Sequence, residues 1–127
     1  MRHIIFTLLF LVNLNLFAVP VASAWDGTTY AVKNYLKENL NDPKSIEIVE
    51  CSPIMELSNG LWMQRVKFRG KNAYGSLVLN EFMFLISGDG TNTEVISIGT
   101  IDEMSEALTV NNLTIIASYN HDGTKID

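Results

Sequence analysis

The chain has little of what most reaction chemistry needs: one cysteine, two histidines and no apolar run long enough to span a bilayer. The single thiol, Cys51, rules out an internal disulfide, so stability has to come from packing. In an oxidising compartment a lone thiol is either buried and inert or paired between chains. Ile48, Val49 and Ile54 around it point to burial as a small hydrophobe. Of the histidines, His3 lies at the extreme N-terminus and His121 near the C-terminus. A nucleophilic triad needs a nucleophile, a base and an orienting group brought together, and nothing local joins His121 to Cys51 or to a serine. Zinc takes several His or Cys ligands, and two candidates are too few. No catalytic residue, metal or cofactor is expected. Net charge is also on the wrong side for nucleic acid: nine basic against fourteen acidic residues, −5, repels phosphate backbones.

The longest apolar segment is N-terminal. Met1-Arg2-His3 carries one fixed positive charge, Ile4 to Ala18 is mostly apolar over 15 residues, and Val19-Pro20-Val21-Ala22-Ser23-Ala24 follows. A membrane span needs roughly 20 apolar residues. The pattern reads instead as a secretory signal peptide, residues 1–24, with Ala22 and Ala24 as the small residues at the cleavage site. Lipid anchoring would need a cysteine at that site, so no stable membrane anchor is expected after cleavage between Ala24 and Trp25. The remaining 25–127 fits a single domain with a modest core. Loss of Arg2 leaves 8 basic and 14 acidic residues, −6, which favours solubility.

Along that domain, Asp26 or Thr28 can cap a helix whose apolar stripe is Val32, Tyr35, Leu36 and Leu40, and Pro43 stops it. Ser45 to Leu57 reads as a strand region interrupted at Pro53. Ser58-Asn59-Gly60 marks a hairpin turn. Leu61 to Arg69 alternates clearly, with Trp62, Val66 and Phe68 toward the core. Ser76 to Ile86 is apolar on both faces, the pattern of a central covered strand. A loop over 87–92, a strand over 93–99, a Thr100-x-x-Glu103 capping box opening a short helix near 101–108, and a last strand over 113–119 complete the reading. Asn120 to Asp127 is a frayed tail. The expected class is α+β: an N-terminal helix packed on an antiparallel sheet of about four to five strands, cystatin-like or similar.

Leu40-Asn41-Asp42-Pro43-Lys44-Ser45-Ile46-Glu47 and Trp62 to Gly75 resemble a group of small exported bacterial proteins and lipoproteins. These share a D-P-x-S segment and a strand ending in an R-x-K-N-x-aromatic-G turn. The resemblance covers about Leu40 to Leu85. It implies a bacterial envelope setting, periplasmic or secreted, and no particular activity.

Arg65, Lys67, Arg69 and Lys71 are the leading functional candidates. Four of eight cations fall on one strand face of a net-acidic domain, and such a row suits an anionic protein surface in the cell envelope or an anionic glycan. Asn72 and Tyr74 beside it offer hydrogen bonding and stacking. The competing reading is a solvated face relieved by cross-strand glutamates. Asp89 to Glu94 is rich in oxygen, but Thr91 and Thr93 stand where an EF-hand needs Asp or Asn. Glu47, Glu50, Glu56, Glu81 and Glu94 all fall on strands, where a pair of carboxylates would serve a cell-envelope hydrolase. The expected role is a non-enzymatic exported binding protein, with an inhibitor or immunity-type factor as one form of it; the alternatives are that hydrolase or an envelope assembly accessory.

Overall fold

A computed structural model of the chain describes residues 18–127. The charged start and the apolar segment of the expected signal peptide, residues 1–17, lie outside them. Helix α1 (Tyr30–Asn39) is followed by a short 3-10 turn (Pro43–Ser45) and strands β1 (Glu47–Cys51), β2 (Ile54–Leu57), β3 (Trp62–Lys71), β4 (Leu77–Asp89) and β5 (Asn92–Gly99). Helix α2 (Ile101–Val110) and strand β6 (Ile115–Tyr119) complete a mixed α+β unit. Among the described residues no helix is long and apolar enough to cross a membrane.

The sheet has six antiparallel strands in the order β5-β4-β3-β2-β6, with β1 also on β3. The sixth strand comes from Pro53. β1 pairs with β3 along Val66 to Arg69, and β2 pairs with it along Trp62 and Met63. Proline has no N–H to contribute between them. Ser52 bridges the gap: its N–H donates to the Arg65 carbonyl at 2.8 Å and its Oγ accepts from the Arg65 N–H at 2.9 Å. One strand region thereby becomes two offset strands on the same side of β3.

α1 is capped by Thr29, whose Oγ1 accepts from Val32 N–H, one residue beyond the expected Thr28. Asp26 instead accepts from Thr28 N–H and pairs with Lys33 at 2.8 Å. Ala31, Val32 and Leu36 of α1 bury against Trp62, Val66, Phe68, Phe84 and Ile86 on one sheet face. Among the described residues the other face is covered only at one end, where Met104 of α2 sits on Leu57, Met63 and Met83.

That partial cover corrects the reading of β4 as buried on both sides. β4 runs 13 residues, but β5 pairs with it only from Met83 onward. The first half, with the end of β3, runs on past β5 as a hairpin arm, edged on its β3 side by β1 and by Ser45, whose Oγ accepts from Lys71 N–H at 2.9 Å, and Leu77, Val78 and Leu79 are exposed. The tail is likewise not frayed: Tyr119 bridges to Lys125 and Ile126 N–H donates to the Ser118 carbonyl at 2.8 Å. The expected loop over 87–92 tightens to a turn between β4 and β5, with Gly90 at φ +55°.

Candidate functional site

Strand alternation fixes the arm. Trp62, Gln64, Val66 and Phe68 point to α1 and are buried, so Arg65, Lys67, Arg69 and Lys71 take the opposite face. The row begins where the cover of α2 ends. Cross-strand registry sets acids among the cations: Glu47 is opposite Arg69, Glu50 and Glu81 are both opposite Lys67. Arg65 takes two of them. Its Nη1 donates to Glu50 Oε1 at 3.1 Å and to Glu81 Oε2 at 2.7 Å. Burial works against the charged guanidinium, but these bonds outweigh it and hold its pKa above the ordinary arginine value. Arg65 is therefore spent within the sheet, and the carboxylates of Glu50 and Glu81 are held as its counter-ions.

Lys67, Arg69 and Lys71 make no ion pair among the described residues. Arg69 is opposite Leu79 and Lys71 is opposite Leu77, so two cations alternate with two half-exposed leucines on one face of the arm. Asn72 shapes the tip. Its Oδ1 accepts from Tyr74 N–H at 2.9 Å and Ser76 N–H at 3.1 Å, and its side-chain oxygen is thus used for the turn. Tyr74 stands out at 93% exposure.

Asn72 N–H donates to the Ser76 carbonyl at 2.9 Å, making this a hydrogen-bonded pair at the arm's tip. Antiparallel ladders alternate bonded and non-bonded pairs. Leu77, Leu79 and Glu81 therefore turn their backbone N–H and C=O groups away from β3, toward the side β5 does not reach. Among the described residues no strand pairs with that edge, which is apolar and flanked by positive charge.

A second cluster joins residues that lie far apart in the sequence. Cys51 and His121, 70 residues apart, meet with Sγ 3.8 Å from Nε2. No local signal in the sequence brings them together; the folded-back tail does. The His121 ring lies over Gly27, where a Cβ would come 2.1 Å from Nδ1. The Cys51 thiol donates to the Asp26 carbonyl at 3.0 Å, and burial pushes its pKa up despite a contact from the Thr28 hydroxyl. Nucleophilic cysteines need the thiolate; this one is held as a thiol and is half-buried rather than fully buried. Gln64 alongside offers no free donor. Its Nε2 donates to the carbonyls of Gly27 at 2.8 Å and Ser52 at 3.1 Å, while its Oε1 accepts from Thr29 N–H at 3.0 Å. The cluster works as a latch between the α1 approach, the β1–β2 break and the C-terminal tail.

Of the remaining strand carboxylates, Glu56 accepts from Tyr119 OH at 2.9 Å and Glu94 is exposed on β5. Among the described residues no three His, Cys, Asp or Glu side chains group as metal ligands. No protein-family model, curated protein or solved structure matches the chain.

Proposed function

We propose that the chain is an exported, non-enzymatic binding protein that presents its β3–β4 arm to an acidic partner in the cell envelope. The observation that carries this reading is the juxtaposition of Lys67, Arg69 and Lys71, none ion-paired among the described residues, with exposed Leu77, Leu79 and Tyr74 on a strand edge that β5 leaves open. Cations steer and orient a negatively charged partner. Apolar side chains and free backbone groups at an edge add affinity when an extended segment lies alongside. The resemblance to small exported bacterial proteins supports the same envelope setting, and we read the helix-on-sheet arrangement as cystatin-like. Engagement of Glu50 and Glu81 with Arg65 speaks against the carboxylate hydrolase, which needs one free acid and one free base.

Site-specific photo-crosslinking in exporting cells tests the reading. A crosslinker at position 74 or 79 should give a discrete adduct that weakens with salt and is lost in Lys67→Ala/Arg69→Ala. A crosslinker at Thr109, exposed on α2, should give none. Equal adducts from all three positions, or an adduct indifferent to the two cations, would sink it.

A further inference from the structure

The last seven residues of the expected signal peptide, 18–24, are built into the domain. Pro20 and Ser23 are buried, and Val19 and Ala22 pack against the α1 face of the core. The segment is also tied by backbone bonds. Ser23 N–H donates to the Thr28 carbonyl and Gly27 N–H donates to the Ser23 carbonyl, both at 2.8 Å, closing the turn that precedes α1. Tyr30 N–H, one of the first-turn donors that a helix leaves unsatisfied, donates to the Val21 carbonyl at 3.1 Å. Val21 N–H reaches across to the Gly90 carbonyl at 3.0 Å, stitching the segment to the β4–β5 turn.

A chain beginning at Trp25 would lose all of these. It would open the core beside Val19 and Ala22 and leave the Tyr30 donor without its partner. It would also free the turn that sets Asp26 against Lys33 and Gly27 against Gln64. By contrast, Ala18 is exposed, and among the described residues its backbone is tied once, by a carbonyl accepting from Gly90 N–H at 3.0 Å.

We propose that the leader is removed at the Ala18–Val19 bond, so that residues 19–24 remain as a structural strap of the exported protein. This rests on the reading that the chain is exported. Hydrolysis there adds one water, leaving a carboxylate on Ala18 and an ammonium on Val19. The leader is then 18 residues with a 14-residue, mostly apolar stretch, Ile4 to Phe17, broken by Thr7, Asn13 and Asn15, inside the roughly 15–30 and 7–15 residues such segments use. Ala18 supplies the small residue at the scissile position. Ala22-Ser23-Ala24 matches the cleavage pattern more fully, but those are the residues the fold uses.

The test is the intact mass of the soluble product when the full chain is expressed with its own leader in an exporting bacterial host. The expected product starts at Val19 and is unchanged in Ala24→Leu, a substitution at an exposed position; Ala18→Leu should abolish it. Slow amide exchange at Tyr30 and Val21 in the wild-type product should accompany it. A product starting at Trp25, or Ala24→Leu precursor accumulating uncut, overturns the proposal while leaving export intact. An uncut chain starting at Met1 overturns the export reading as well. A Val19 product whose Val21 and Tyr30 amides exchange freely overturns the strap.

Discussion

Gln64 ties the approach to α1 to the break between β1 and β2. It is fully buried on β3, and its amide holds Thr29 N–H, Gly27 C=O and Ser52 C=O. Replacing it with leucine keeps the approximate volume and removes all three bonds. The Ser52 carbonyl still has His121 Nε2 at 3.1 Å, so two groups are orphaned in buried surroundings, at about 1–3 kcal/mol each. Leucine's added apolar burial returns about 1–2 kcal/mol. The expected net loss is about 3 kcal/mol, a melting-temperature drop on the order of 10–20 °C for a domain of about a hundred residues. Thermal and urea unfolding followed by circular dichroism measure it. Gln64→Glu supplies a control with a sign. Burial raises a carboxyl pKa, so the protonated form, which can donate to one of the carbonyls, is favoured in the folded state. Its stabilisation is present below the unfolded glutamate value of about 4.3 and lost as pH rises through the raised folded value. Gln64→Glu should therefore approach wild type near pH 4 and fall well below it at pH 7. A Gln64→Leu protein melting within about 3 °C of wild type would show that the region is not held by these bonds.

Three further outcomes are expected. Phe68→Ala should cost about 3–5 kcal/mol, whereas Lys67→Ala and Arg69→Ala should each stay within about 0.5 kcal/mol; equal melts for all three would overturn the facing of β3. Asp26 is buried in part, which opposes its charge, yet the Lys33 bond and the Thr28 contacts prevail and its pKa is lowered. That stabilisation is present above the ordinary aspartate value of about 3.9 and lost as pH falls through the depressed folded value, so Asp26→Asn should flatten the acid limb of a stability–pH curve. Cys51, its pKa raised by burial, should react sluggishly with a thiol reagent at pH 7 and run as a monomer on non-reducing electrophoresis; fast labelling or a reducible dimer would contradict the latch.

Local pattern alone determined a good deal. The period-2 alternation of Trp62 to Phe68 set which side chains enter the core, because successive strand residues must face opposite ways. The Thr100–Glu103 capping box marked the start of α2, and both of its reciprocal bonds are present. Pro53 announced a break, though not that Ser52 would bridge it. Other features depended on which distant segments meet. How far α2 extends over the sheet decides that Met63 is buried while Lys67 and Arg69, on the same face, are not. The length by which β4 outruns β5 decides that Leu77 and Leu79 are surface rather than core. The pairing of Arg65 with both Glu50 and Glu81, and the meeting of Cys51 with His121, join residues 15, 16 and 70 positions apart. No spacing in the chain encodes such contacts, because strand registry and the path of the tail set them only once the whole sheet has closed.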